Sequence, residues 1–445
     1  MQSEPQDGHP PSVGVSPEQG GDATKPRRPY AEPAVWTERM LAALHSGVRG
    51  GKWYCLIDKV FAPRNLAAAW AKVQANRGAA GVDHQSVEQF GKNADEYLAE
   101  LGDELRTGQY RPQAVRRRWI PKPGTTTQRP LGIPTVRDRI VQTALRNVLE
   151  PIWEECTFVE ESYGFRPGRG CRKALRQVQA LLDAGLTWVV DADIRSYFDT
   201  IDHGLLMAEV ERAVSDGRVL ALLEAFLRQG VLEEMRSWTP ERGTPQGAVI
   251  SPLLANIFLH SVDEVLVEEG FAVVRYADDL VILCRTEADA REALQILGRE
   301  IERRRLQLHP EKTRVVDATA PGGFDFLGYH FEQGRRWPRQ KSLRSLKEKV
   351  RAKTRRTNGQ SLRFIVTDLN RTLRGWFEYF KHSHRHTFER LDRWIRVRLR
   401  SVLRHRNGGE GRGRGADHVL WANVFFQQQG LFSLAAAHAA IRQSR

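Results

Sequence analysis

Apolar residues along this chain recur in two periods, and the change between them divides it. From Phe271 to Cys284 two β-branched runs flank a turn holding Asp278 and Asp279, which predicts a hairpin buried on a sheet. A second apolar run, Leu186 to Val190, leads into Asp191 and Asp193. Helical spacing governs much of the rest. Leu66, Trp70 and Val73 predict a helix over 64–77 that Gly78 stops. Tyr97, Leu101 and Leu105 predict another over 94–106, and Ile140, Leu145, Val148 and Leu149 one over 137–155. Two more follow over 253–267 and 287–305. Alternation around Val115 and Ile120 predicts a strand pair over 110–134. Residues 309–314 and 324–329 read as loop-then-strand units.

Past residue 340 the pattern is helical throughout. A basic helix covers 341–356. Ser361 caps the next, whose Ile365, Leu369, Leu373, Phe377 and Phe380 share one face. A third covers 387–406, with Phe388, Leu391, Ile395, Leu399 and Val402 inward. After a Gly/Arg linker over 408–415, an apolar piece over 419–441 is expected to dock back on the body.

Length changes the picture first, since 445 residues exceed one ordinary domain and call for two or three packed units. Residues 1–34 are rich in Gly, Pro, Gln, Glu and Ser and predict a disordered leader. Charge sharpens the division. The net charge is +14, but residues 331–415 hold 25 Lys/Arg against 7 Asp/Glu, so the remainder carries −4. A polyanionic partner along the C-terminal third fits this better than an acidic small molecule. Cys55, Cys156, Cys171 and Cys284 are scattered, with no CxxC, which fits reduced thiols and excludes a zinc site or a disulfide frame. No apolar run reaches transmembrane length. These signals together predict a soluble, intracellular protein without a membrane partner.

The carboxylates supply the candidate chemistry. Asp is a good turn former, so a solvated Asp-Asp turn is one reading of the hairpin. Unpaired acids beside buried strands are costly, however, and such acids usually meet a cation. Two acidic strand ends, 85 positions apart, favour the second reading. Asp193, Asp278 and Asp279 would suit Mg²⁺, which takes a few carboxylates plus substrate phosphates. A two-metal arrangement then activates a hydroxyl and stabilises a leaving pyrophosphate. The cations of the 110–134 hairpin, Lys122 and Arg129 among them, are placed to grip phosphates, unless they only defend an exposed edge. Arg166 and Arg169 punctuate a Gly-rich loop suited to a nucleic-acid backbone. The histidines at 382, 384 and 386 stand among arginines and read as part of an RNA-facing surface.

With these residues the chain resembles the reverse transcriptase/maturase proteins encoded by bacterial group II introns, over about Arg64 to Arg445. Tyr276-Ala-Asp-Asp279 looks like their signature hairpin. Ser162-Tyr-Gly-Phe-Arg-Pro-Gly168, Asp193-Ile-Arg-Ser-Tyr-Phe198-Asp199, Thr244-Pro-Gln-Gly247, His309-Pro-Glu-Lys312 and Phe326-Leu-Gly328 resemble the other polymerase blocks, in order. Arg374-Gly-Trp-Phe-Glu-Tyr-Phe380 resembles the aromatic core of the maturase region.

The resemblance implies an α+β right-hand polymerase, its fingers and palm built on an antiparallel sheet, followed by an α-helical thumb/maturase domain. The divisions implied are a leader to 34, a helical fingers extension over 35–103, fingers and palm over 104–330, a thumb over 340–406 and a maturase tail over 407–445. The implied activity is that of an RNA-directed DNA polymerase that also binds its intron RNA and assists splicing and mobility. Asp193, Asp278 and Asp279 would be catalytic and hold two Mg²⁺ ions, or Mn²⁺ in their place, with the Ile194 carbonyl nearby. Lys122 and Arg129 would hold the triphosphate, Phe198 would lie under the sugar, and Gln246 beside the nascent base pair. Arg166, Arg169, Lys312, Arg355, Arg356 and Arg374 would contact RNA.

The implied partners are the intron RNA, an RNA template with its DNA primer, deoxynucleoside triphosphates and target DNA. The implied location is the bacterial cytoplasm, and the oligomeric state stays open, a dimer included. Ala248 replaces a frequent third glycine, and residues 124–127 make a slightly long turn. No HNH-like Cys/His cluster follows the helical region, so the expectation is no nicking endonuclease and a primer from another source. The rival readings are a splicing-only maturase and a reverse transcriptase recruited to a defence system.

Overall fold

The computed structural model describes residues 30–47, 51–121, 128–233, 236–244 and 247–443. Its strands, in chain order, are β1 (Val115–Pro121), β2 (Gln128–Ile133), β3 (Trp188–Asp193), β4 (Val231–Glu233), β5 (Arg236–Trp238), β6 (Ala272–Tyr276), β7 (Asp279–Cys284), β8 (Arg314–Asp317), β9 (Phe324–Phe326), β10 (Tyr329–Glu332) and β11 (Arg335–Pro338). They form three sheets, ordered β2-β1-β4-β5, β6-β7-β3-β8 and β11-β10-β9.

The second sheet carries the acidic residues and is antiparallel throughout. Its strands are apolar on both faces because both are covered. Val190, Ala192, Leu280 and Ile282 join the large core with the helices Ser251–Glu268 and Glu287–Arg303. Val189, Val274, Val281 and Leu283 pack instead with the helix Cys171–Asp183 and with Phe324, Phe326, Tyr329 and Phe331 of the third sheet. Asp193 and Asp279 meet at the open end of this sandwich.

In the first sheet β1 is antiparallel to β2 and parallel to β4. The short β4 and β5, and all of β11, are absent from the sequence reading. The helix expected over 64–77 runs Pro63–Asn76, and its left-handed cap is Arg77 rather than Gly78. Gly78 answers to a different need: a Cβ there would lie 2.2 Å from the Arg139 guanidinium.

The C-terminal helices Gln340–Lys353, Leu362–Phe380 and Arg385–Arg406 build a separate core. The Ser361 hydroxyl accepts from the Phe364 N–H, as the capping pattern predicts. The apolar piece docks on this core through Trp421, Phe426 and Leu434, and leaves Val419 and Leu420 exposed. Trp376 and Tyr379 pack within the fold: Trp376 lies 4.7 Å from Phe380, and the Tyr379 hydroxyl donates to the Leu327 carbonyl. Among the described residues no helix is long and apolar enough to cross a membrane.

Candidate active site

Asp193 closes β3 and Asp279 opens β7, and the two are direct partners across the antiparallel ladder. Partners of this kind project from the same face with Cβ atoms about 5 Å apart. Asp278 sits one residue earlier, in a two-residue turn between Tyr276 and Asp279. Three carboxylates from two distant segments thus meet at one sheet end.

The turn is unusual in its first residue. Ala277 has φ 60°, a conformation that normally favours Gly. What holds it is a buried polar network around Arg275, whose side chain is 1% exposed. Its Nε and Nη2 donate to the Asp263 carboxylate at 2.5–2.9 Å. Nη1 donates to Asn256 Oδ1 at 3.1 Å and to the Ala277 carbonyl at 2.9 Å. Nη2 also reaches the Ser162 hydroxyl. Asn256 donates in turn to the Gly164 carbonyl. Gly164 lies so close to the turn that a Cβ would stand 2.2 Å from the Ala277 nitrogen. A fully buried charge is tolerated only when paired and hydrogen-bonded in this way. Neither Arg275 nor Asp263 figured in the sequence reading. The available signal was a cation in an apolar strand and an acid in an apolar helix twelve residues before it.

The electrostatics match the crowding. Burial raises the Asp279 carboxyl to about 6, with Asp278 and then Asp193 adding to the rise. Burial, followed by Asp193, raises Asp278. Asp279 is exposed to water yet surrounded by protein, as befits the floor of an open cleft. Asp191, one pleat back, is also raised to about 6 by burial, against the pull of Arg314 at 3.5 Å. Asp193 has the Lys312 ammonium on its Oδ2 at 2.8 Å. As they stand, no three His, Cys, Asp or Glu side chains among the described residues are close enough to hold an ion. The donor set nevertheless fits a hard dication: three oxygen ligands whose mutual repulsion a cation would relieve.

The other expected residues divide. Ile194 follows β3 in an antiparallel bridge to Leu308. Phe198 is half-buried, edge-on to Phe165, which in turn lies 6.4 Å from Tyr276. Arg129 is exposed on β2, opposite Ile120. Lys122 and Gln246 lie outside the described residues. One of the RNA-contact expectations needs correction. Arg166 is buried: its Nε donates to Glu154 at 3.1 Å and its Nη1 to the Val159 and Ser162 carbonyls, so it braces its own loop. Lys312 is more than half exposed, with its ammonium paired to Asp193 at the edge of the acidic cluster. Arg169 folds onto its loop, pairing with Glu160 and lying over Tyr163. Arg355 and Arg356 are exposed, and Arg374 is exposed with its guanidinium over the Phe432 ring.

Comparison with known proteins agrees with this arrangement. The reverse transcriptase (RNA-dependent DNA polymerase) family model matches residues 120–331, which include all three carboxylates. The model of the group II intron, maturase-specific domain matches residues 343–419. Protein YkfC of Escherichia coli (strain K12) is 35% identical over 318 residues, 62% of this chain and 82% of that protein. The group II intron-encoded protein LtrA of Lactococcus lactis subsp. cremoris is 36% identical over 222 residues, 48% of this chain and 36% of that one. The putative COX1/OXI3 intron 1 protein of Saccharomyces cerevisiae is 27% identical over 377 residues, 72% of this chain and 44% of that protein. The chain therefore spans most of YkfC but less than half of either intron protein. With a right-hand reverse transcriptase fold and a maturase domain in succession, the chain belongs to the family of group II intron reverse transcriptase/maturase proteins.

Proposed function

We propose that this chain extends a DNA primer on an RNA template at Asp193, Asp278 and Asp279, and that its basic helical region holds an intron RNA whose splicing and mobility it assists. One observation carries the polymerase part: the in-register pairing of Asp193 with Asp279, with Asp278 on the adjoining turn. These three would hold divalent cations, Mg²⁺ in the first instance. When bound, such ions lower the pKa of the attacking hydroxyl and neutralise the leaving pyrophosphate. The protein's own contribution is positional. Arg275 and Gly164 fix the turn, Lys312 balances Asp193 while the site is empty of substrate, and Phe165 and Phe198 line the adjoining wall. Arg129, on the β1–β2 ribbon, would meet the triphosphate.

The RNA-holding part rests on charge. The excess of Lys/Arg lies in the helical region, where Arg355 and Arg356 are exposed. Phosphate contacts of this kind make affinity fall steeply with salt. The reading places the protein in the cytoplasm with its RNA, and extends to target DNA as a further partner.

The deciding experiment is Mg²⁺-dependent primer extension with deoxynucleotides on an RNA template, comparing wild type with Asp278→Ala/Asp279→Ala. Extension lost in the variant, with RNA affinity kept, supports the assignment. A folded, RNA-binding wild type that extends nothing would overturn it in favour of a splicing-only maturase.

A further inference from the structure

A cavity of about 750 Å³ opens where the third sheet meets the C-terminal helices. Its walls are the β10–β11 turn, Gln179, the junction between the helices Leu362–Phe380 and Arg385–Arg406, and the last helix, Leu434–Gln443. It does not belong to the acidic cleft. The Gln333 N–H, in the β10–β11 turn, donates to the Ala318 carbonyl, and the Ala318 N–H donates to Thr187. Thr187 immediately precedes β3, whose opposite end is Asp193, so the strand separates the two sites by roughly 20 Å.

Among the described residues the lining holds no acidic side chain. Arg335, Arg385 and Arg442 are exposed into it, and none makes an ion pair with a described carboxylate. Lys381 is held by Glu378 at 3.0 Å, and His386 by Glu389 at 3.1 Å, so some of the charge is balanced from outside. The 22-residue helix Arg385–Arg406 also begins in the cavity. Its N-cap, His384, gives no side-chain hydrogen bond; the Thr387 N–H donates to the His384 carbonyl, while Arg385 and His386, at the positive helix end, line the cavity. Burial, then His386, Arg335 and Arg385, lower His384; burial, then Arg442 and His384, lower His438.

Guanidinium forks converging with a helix N-terminus, in a space suited to a nucleotide-sized ligand, make a receptor for phosphate. We infer that this cavity is a phosphate-binding site, separate from the polymerase cleft, that seats a backbone phosphate of the bound RNA. The inference deepens the RNA-holding part of the proposed function and rests on it. The same chemistry would accept a free polyphosphate, and the test separates the two sources.

The variant is Arg335→Gln with Arg442→Gln, both on the surface. Its control is Arg291→Gln with Arg299→Gln, which removes equal charge from the exposed side of the helix Glu287–Arg303. Affinity for a hairpin RNA is measured over a salt titration, and binding of inorganic tripolyphosphate separately. The cavity variant should bind the RNA about tenfold more weakly, with a log–log salt slope shallower by about 0.7–0.9 for each phosphate it no longer grips. The control should change neither, and primer extension at saturating template should stay within about twofold in both. Loss of tripolyphosphate binding with RNA affinity intact would assign the site to a free polyphosphate. An equal loss in the control, or no loss of either ligand, would overturn the site. If wild type binds no RNA at all, the RNA-holding reading fails, and the tripolyphosphate arm still decides the cavity.

Discussion

The guanidinium of Arg275 donates to the carbonyl of Ala277, two residues along the same chain, and so ties the carboxylate-bearing turn to a buried ion pair with Asp263. Removing the cation would leave Asp263 charged, buried and alone. Arg275→Met should therefore cost about 3–5 kcal/mol, read as a lower midpoint in denaturant. Arg275→Lys keeps the charge but loses the fork that reaches Asp263 and Ala277 together. Its kcat in primer extension should fall more than its KM changes. A lysine variant working at the wild-type rate would show that the turn stands without this bond.

Gly164 makes a second, purely steric demand on the same turn. Its virtual Cβ meets backbone atoms, at 2.2 Å from the Ala277 nitrogen and 2.8 Å from the Tyr276 carbonyl carbon, so no side chain can swing away to relieve it. Gly164→Ala should destabilise by about 1–3 kcal/mol. Because the strain falls on the turn itself, extension should drop by more than the lost stability accounts for. Activity measured well below the variant's melting temperature checks this.

The raised carboxyl of Asp279 links activity to stability with opposite signs. It titrates at about 6 in the folded chain and near 3.9 when unfolded. The folded state thus holds the extra proton, and this group's contribution to stability is present below about pH 4 and lost as pH rises through 6. Asp279→Asn should melt higher than wild type at pH 8, by no more than about 1 kcal/mol after solvent screening, and equally at pH 4. Primer extension by wild type at limiting Mg²⁺ should decline as pH falls through 6, where a proton competes with the cation for this carboxylate. Equal melting temperatures at pH 8 would refute the linkage.

Lys312 and a divalent cation compete for Asp193. Exposed pairs of this geometry are worth about 0.2–1 kcal/mol. Lys312→Gln should accordingly tighten Mg²⁺ binding by up to about fivefold, read as the cation concentration that half-saturates the rise in melting temperature. Weaker binding in the variant would mean that the lysine supports the metal site instead of opposing it.

The sequence revealed this molecule wherever a residue's role depends on its near neighbours. The apolar runs of β3, β6 and β7, the thumb periodicity and the Ser361 cap are all local patterns, and all appear in the fold. Roles set by distant partners were illegible. Arg166 looked like a loop cation because nothing nearby in sequence announces that Glu154 turns towards it. The pairing of Lys312 with Asp193 was illegible because the bridge from Leu308 to Ile194, which brings its loop there, spans more than a hundred positions. The three-residue strands β4 and β5 were missed because neither is long enough to show a period.

The central place of β3 has a consequence for synthesis. Its two edges are covered by β7 and β8, which leave the ribosome about 90 to 125 residues after it. At ordinary elongation rates of about 5–20 residues per second, β3 waits roughly 4–18 s with both edges unpaired and roughly 6–25 s before the second is covered. During that interval the central strand of this sheet is open to pairing with other nascent chains. The segment that ends the wait, Arg314–Asp317, begins two residues after Lys312. Ribosome pausing before that segment should therefore lower the soluble yield more than a pause placed after it.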